Sequence, residues 1–510
     1  MAGLGSMFGR ALANSLGNAL DSAIGIFSPG REAFRQQERA RAEAFRRYAG
    51  AKDGLQTGAW GHQDGNVNQV IGDSSARLRA RVRQLVRDFP FFARVVEAAV
   101  NLSISTGINL QFMGEDEDLN QRVEDAWAED CERMDVGGRM DFVELQRLGR
   151  RQEVEVGECF GATPLDLSDR ESPLKVQLYE PDWLNDFGAS PGPGSKLVQG
   201  VEIDERSGKV IAYHLEDPEH WGKPLRIEPR FAVHSYKMLR PGQVRGVSPL
   251  ASAILSANDI GQYIGAEVDV AKKAASYLAT LHSPDPAGAA LRRSNADQAS
   301  GLRVRQLPNG IIEVLHSDEK FKLLENNRPG GQFEPTVNFI TRMIAVAADL
   351  SYEMVSGDYR SLTASNIKGI RSDLLHQTRP KQRRFARQFC QVIFARWLDA
   401  KVSIGALRLP GYWQRRGTYL RAARWIYPGV EGVDLLREAR GALSLLAGGL
   451  EDPQDYLGRR GKDPRETLRA IAKFQRMAKE EGVDLNWGIQ PVKTNPAALG
   501  ASSNGDAVKE

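Results

Sequence analysis

Residues 248–281 place Leu250, Ile254, Ala257, Ile264, Val268, Ala271, Ala275 and Leu278 at the intervals of one helical face. At ~1.5 Å per residue such a helix would run ~50 Å, several times the ~11–12 residues of an average helix. Lengths like this suit a pillar or a bundle better than a compact catalytic core. A second helical face follows over residues 335–355, with Phe339, Met343, Val346 and Leu350 in register. Between the two lies an insert. Residues 283–300 read as polar loop, and Leu302–Leu307 and Ile311–His316 read as short strands joined by Pro308-Asn309-Gly310. The pattern is therefore helix, hairpin-bearing insert, helix.

With 510 residues the chain exceeds one compact core, and two to four structural units are expected. Residues 31–48 read as a surface helix and 50–70 as loop. From Ser74 a helix carries Leu78, Val82, Leu85 and Val86. Asp88 and Pro90 break it, and the next helix turns Phe92, Val95, Val96, Ala99 and Val100 inward. Residues 117–160 read as two helical pieces. A β region follows: Lys175–Tyr179, a hairpin of Val201–Asp204 and Lys209–His214 about Glu205-Arg206-Ser207-Gly208, and Phe231–Tyr236. Beyond a polar stretch at 356–365 comes a basic helix with Lys368, Arg371, Arg379, Lys381, Arg383, Arg384 and Arg387, which Pro380 is expected to interrupt or kink. A Trp/Arg-rich segment runs to Trp425, helices span Val433–Leu446 and Pro464–Lys479, and the tail beyond Gln490 has the composition of disorder. The fold class is mixed α+β and helix-rich.

Several function classes find no support. Lys and Arg total 68 against 65 Asp and Glu, a net charge of +3; a protein gripping nucleic acid along a large face usually shows a basic excess. Cys131, Cys159 and Cys390 lie far apart and form no CxxC pair, so they read as free thiols. No apolar run reaches the ~20 residues of a membrane span, and the N-terminus, with Arg10 as its one early basic residue, lacks a signal peptide's charged region. GxxxxGK[ST], HExxH and GxSxG are all absent. His214 and His220 flank Asp217, but no third ligand supports a metal site. Glu115-Asp116 and Glu124-Asp125 read as solvated helix faces. The basic helix after residue 366 has two readings: a face paired with acidic neighbours, or contact with a passing phosphate backbone. Phe385 and Phe389, four apart, read as packed inward.

An ordered set of motifs then points to a family. The run RVRQLVRDFPFF ends at Phe92. Trp127 to Asp135 precedes Asp141-Phe142 and Val156-Gly157-Glu158. Leu178-Tyr179-Glu180-Pro181-Asp182 is followed by Gly200-Val201-Glu202, Ala212-Tyr213-His214 and Val233-His234. Arg240-Pro241-Gly242-Gln243 leads to Arg245-Gly246-Val247-Ser248-Pro249-Leu250, the most specific stretch. Ile344-Ala345, Ser356-Gly357-Asp358-Tyr359 and Gly461-Lys462-Asp463 complete the order. Over roughly residues 28–485 the chain resembles the lambda family of tailed-phage portal proteins. It departs from the family's usual Ser-Ser-x-Arg segment, reading Thr363-Ala364-Ser365-Asn366-Ile367-Lys368 instead.

The resemblance implies a portal fold of wing, stem, clip and crown, repeated in a ring of twelve subunits. On it, residues 1–30 would be a flexible N-terminal segment, 31–247 wing, 248–281 the first stem helix, 282–334 clip and 335–355 the second stem helix. Residues 356–366 would form the channel loop, 367–405 a wing helix, 406–487 a helical crown and 488–510 a disordered tail. Asp358, Arg360, Ser361, Thr363, Ser365 and Lys368 are the expected channel-lining residues. Implied partners are other copies of the chain, the terminase large subunit, major capsid and scaffold proteins, head-completion or adaptor proteins, and double-stranded DNA, with no membrane, cofactor or metal. The chain would sit at the portal vertex of the virion and in host cytoplasm during assembly, and would be no enzyme. A nuclease or terminase subunit would need clustered metal-binding carboxylates or a phosphate loop. An adaptor would be shorter and would leave the helix–insert–helix pattern without a role.

Overall fold

The computed structural model describes residues 65–483, apart from 167, 170, 187–188, 217–224, 277–278, 283–319, 324–330, 361, 430–434 and 481. The expected strands within 302–316 and the tail beyond 490 lie outside the described residues, as does the helix at 31–48. The chain divides after Asn66, and the account that follows concerns the unit beginning at Val67.

Two helices open it, α1 (Val67–Asp88) and α2 (Pro90–Ser103). The first begins seven residues before the Ser74 expected from the sequence. Pro90 starts α2 because a first-turn position needs no N–H donor. A short strand β1 (Asn109–Phe112) follows, then α3 (Glu117–Cys131) and α4 (Phe142–Glu155). Asp116 caps α3 by accepting from Asp118 and Leu119. Asp141 and Glu144 form a capping box on α4, satisfying donors that a helix start leaves open. The second helical piece ends at Glu155, and Glu158–Ala162 is strand β2, central between β3 (Gln177–Tyr179) and β8 (Ala232–Tyr236). A four-stranded antiparallel sheet takes β4 (Ser195–Val198), β5 (Val201–Asp204), β6 (Val210–Leu215) and β7 (Leu225–Ile227) in order; β5 and β6 are the hairpin read from the sequence.

The long helix is shorter than its pattern. Ser248 accepts from Leu250 N–H, Pro249–Ala253 winds as a 3₁₀ turn, and α5 runs Ile254–Ser276. Residues Ala279–His282 then leave the helix as β9, whose backbone pairs with β10 (Lys320–Leu323). The second helix also breaks: α6 is Phe333–Ala347 and α7 is Tyr352–Ser356. Asp349 takes φ 55°, and Leu350 N–H reaches Ala345 O at 3.0 Å, the six-residue closure of a Schellman end. The basic helix α8 (Ala364–Phe385) passes through Pro380 without interruption, against expectation. A π-turn, Ala386–Cys390, joins it to α9 (Gln391–Ser403). Then come α10 (Tyr412–Ala422), β11 (Ala423–Ile426), which pairs with β1, and α11 (Leu435–Ala447), α12 (Pro453–Arg459) and α13 (Pro464–Glu480).

Three apolar clusters hold these elements. Trp127, Phe394 and Trp397 centre the first, joining α3, α4, α9 and β1; Trp127 meets both in edge-to-face contacts of 5.4 and 5.0 Å. The second packs α1, α2, the start of α5 and the end of α6 through Phe92, Val95, Ile260 and Ile344. The third lies under the sheets, around Phe160, Val201 and Leu215. Phe385 and Phe389 are fully buried and stacked at 4.8 Å, inward as read.

Candidate functional site

Two charged hubs tie together parts of the chain that are far apart in sequence. Glu158, at the start of β2, is fully buried. Its Oε1 accepts from Arg245 Nε at 2.8 Å, and its Oε2 accepts from Gly246 N–H at 2.8 Å and meets His234 Nε2 at 3.0 Å. The same Arg245 donates to Leu184 O at 3.0 Å and Pro181 O at 2.7 Å, so every edge of the guanidinium is used. Burial alone would raise the Glu158 carboxyl's pKa; the adjacent Arg245 charge and His234 outweigh it and hold it well below the usual range. Two glycines allow this approach. A Cβ on Gly157 (φ 98°) would lie 2.2 Å from the Val247 carbonyl carbon, and one on Gly246 would lie 2.1 Å from Gly157 O. Ser248 then donates to Val154 O at 2.7 Å. The Arg245–Leu250 motif therefore welds the β region to the root of α5.

The second hub is Glu153 on α4. Arg150 and Arg384 donate to it at 2.5 and 2.8 Å, and Ser235 also donates to it. Burial opposes its ionisation, but the two guanidiniums keep its pKa lowered. Gln388 accepts from Tyr236 N–H at 3.1 Å, Gln382 donates to Ser103 O at 3.0 Å, and Lys381 pairs with Asp349 at 3.0 Å. The basic helix thus divides: Lys381 and Arg384 are structural, while Lys368, Arg383 and Arg387 are exposed. Neither Glu153 nor Glu158 was legible as a hub. Each is a single carboxylate without periodic companions, and its distant cation, Arg384 for Glu153 and Arg245 for Glu158, arrives from 231 and 87 residues away.

The expected channel loop follows α7. Gly357 ends that helix at φ 71°, ψ 9°, its N–H on Glu353 O at 2.8 Å. Arg360 curls back on Asp358 with both edges, Nε to Oδ1 at 2.9 Å and Nη2 to Oδ2 at 2.8 Å, while Asp358 N–H donates to Ser356 Oγ at 3.1 Å. Hydrogen bonds from Arg360 bring the Asp358 carboxyl down to about 2 and raise the guanidinium's own pKa. The cation is therefore carried beside an equal and opposite charge. Thr363 is the N-cap of α8, accepting from Asn366 N–H at 3.3 Å, so the loop closes at 363. Ser365 and Lys368 stand exposed on the helix that follows. Ser361 lies outside the described residues.

His214 is buried against Glu202 at 3.0 Å, while His220 and Asp217 lie outside the described residues. Asp116 and Glu124 act structurally: the first is a cap, and the second accepts from Phe112 N–H at 2.7 Å. Cys159 and Cys390 are buried free thiols, and Cys131 is a partly buried one. Among the described residues no His/Cys/Asp/Glu group is placed to hold a metal, and no helix is long and apolar enough to cross a membrane.

A probable portal protein of Halomonas phage phiHAP-1 is 23% identical over 389 residues, covering 73% of each chain. A chain of the neck of a native gene transfer agent particle with C12 symmetry is 13% identical and superposes with a TM-score of 0.47, covering 77% of this chain and 94% of that one. A portal protein of the HK97 family from Corynebacterium diphtheriae gives a TM-score of 0.29 at 12% identity, over 55% of this chain and 80% of its own. The model of the lambda-family phage portal proteins matches residues 53–380, which is more than half of the sequence. The chain belongs to the lambda family of phage portal proteins.

Proposed function

We propose that this portal protein assembles through its paired helices into a twelve-subunit ring at the capsid vertex, and that double-stranded DNA passes through it during packaging and ejection. The observation that carries the ring is an apolar face left over after the monomer has folded. Leu255 on α5 is 71% exposed, and Phe339 and Val346 on α6 are 61% and 70% exposed. Large apolar side chains so exposed on adjoining helices mark an interface. The α5–α6 pair, with Tyr263 stacked on Phe333 at 5.6 Å, is assigned to the stem, and the β9–β10 ladder to the base of the clip. The region before residue 248 with α8 and α9 is the wing, and α11–α13 belong to the crown. The clip docks the terminase large subunit, which supplies the ATP hydrolysis; the chain itself catalyses no step. Head-completion or adaptor proteins, capsid and scaffold proteins are the remaining partners, met in host cytoplasm during assembly.

Residues 357–363, with Ser365 and Lys368 just beyond, line the channel. A conduit must let DNA slide, and an Arg360 already satisfied by Asp358 holds a phosphate only in passing. Asp358→Asn releases the guanidinium, and DNA should then move more slowly and with a steeper salt dependence, while Arg360→Ala leaves assembly intact. Negative-stain microscopy of the purified protein reads the ring, and packaging with a bulky thiol label on a Ser361→Cys variant reads the channel. Full-length packaging by fully labelled rings would remove the loop from the channel wall.

A further inference from the structure

Residues 402–430 contain five arginines and no Asp, Glu, Lys or His. That segment contributes +5 to a chain whose net charge is +3, so the remainder is slightly acidic at −2. One of the five is spoken for: Arg416 donates to both oxygens of Asp399 at 2.7 and 2.8 Å. The other four, Arg408, Arg415, Arg421 and Arg424, are exposed, and among the described residues none has a carboxylate partner.

The elements that carry them, the loop before α10, α10 itself and β11, are held firmly. Tyr419 Oη and Arg415 Nη2 both donate to Pro410 O, at 2.8 and 3.0 Å, which ties the Arg408 loop against α10. Tyr412 Oη donates to Asp399 at 2.7 Å. Gln391 on α9 donates to Leu420 O at 3.0 Å and accepts from Trp425 Nε1 at 2.7 Å. Arg424 is fixed by strand pairing opposite Gln111. Four cations are thus displayed on a prepared scaffold without a direct ion pair among the described residues, Arg424 at the rim of a pocket that also holds Glu451, Asp452 and Asp455.

We propose that this arginine surface of α10 and β11 binds the phosphate backbone of double-stranded DNA, at a site separate from the channel loop. The proposal rests on the reading that DNA is the ring's cargo, and adds a second place where the chain meets it. A phosphate backbone fits better than a protein face. Interface cores are depleted in charge, whereas here the large exposed apolar side chains near the four arginines are few and scattered among the described residues: Trp413 and Ile404, at 58% and 41%, and Leu450, at 79%, in the pocket beside Arg424. Exposed single carboxylates return little to such cations. A duplex releases condensed counterions at each contact, and guanidinium matches phosphate in a two-pronged geometry.

The test is fluorescence anisotropy of a labelled duplex with the full-length, assembled protein across a salt series. Removing all four cations (R408A, R415A, R421A and R424A together) should flatten the slope of log affinity against log salt by about 3 to 4, at ~0.9 per phosphate contact. Each single substitution should remove about 1, and the four-lysine variant should keep most of the slope. The singles read the site even if the quadruple variant fails to fold. Unchanged affinity and slope in the singles, or no binding of duplex by wild type, overturns the proposal. Equal binding of poly-glutamate overturns it in favour of an acidic protein partner. Rings that still package DNA under either outcome leave the conduit reading standing, so the two can fail separately.

Discussion

Glu158 and Arg245 are each at most 2% exposed, and a buried ion pair behaves asymmetrically: the intact pair adds little, but removing one member strands the other. Glu158→Gln should therefore destabilise the subunit by about 3 kcal/mol, the lower end of the ~3–5 usual for such a break, because three backbone carbonyls still hold the guanidinium. Urea unfolding of the unassembled subunit measures it; a midpoint equal to wild type would show that the carboxylate contributes nothing. Glu202 makes a parallel case by pH. Burial opposes its charge, but Gly192 N–H, His214, Ser195 and Arg226 bring its carboxyl down from 4.5 to about 2. A depressed folded-state pKa contributes stability that is complete above the unfolded value and is lost as pH falls through the folded one. The sheet around β5 should thus lose stability between about pH 4.5 and 2, and Glu202→Gln should abolish that part of the acid dependence. A wild-type acid profile in the variant would assign it to other groups.

Among the elements, those with a period or a turn signature were legible: α2 from its five inward residues and Pro90, the β5–β6 hairpin from its turn, and the two long helices from their apolar faces. What was hidden had a physical cause in each case. The end of α6 is a Schellman closure with Asp349 in the left-handed position where glycine usually stands, so no glycine announced it. Pro380 was expected to interrupt or kink α8, and the helix continues through it. Its ring deprives the His376 carbonyl of an i+4 donor, but the turn that follows is anchored by tertiary bonds, Lys381 to Asp349 and Gln382 to Ser103. The stretch between α7 and α8 is shorter than the 356–366 expected for a channel loop, since Thr363 caps α8 through a side chain whose role the sequence left open. The hubs were illegible because their partners are far apart in the chain. Gly157 states the same lesson as a prediction. It carries the close contact between β2 and the root of α5, so Gly157→Ala forces a Cβ into the Val247 backbone and strains φ 98°. The variant should lose assembly and yield less soluble protein than Gly242→Ala, whose φ of 79° is equally left-handed but whose Cβ meets nothing. Equal behaviour of the two would show that backbone strain, not the junction, sets the cost.

For the whole molecule the decisive question is what covers the outer face of the paired helices. Phe339, Met343 and Val346 follow at four- and three-residue steps along one side of α6, 61%, 46% and 70% exposed, while Ile344 and Ala345 on the other side are buried in the subunit's own core. The helix is therefore apolar on two sides, and only one is used within the subunit. Burying a side chain of this size stabilises by ~1.5–3 kcal/mol. Repeated at every contact of a closed ring, a few such residues are enough to favour assembly over free subunits. The double substitution Phe339→Asp and Val346→Asp places two charges on that face without touching the internal one. Its effect on the folding of the isolated subunit should stay near ±0.5 kcal/mol each, as for surface changes generally, while sedimentation should show subunits in place of rings. Ile344→Asp, one helical side away and fully buried, should instead prevent folding altogether. If the double variant sediments as rings indistinguishable from wild type, the exposed stripe is solvent-facing in the assembly, and the subunit contact must be sought on another face.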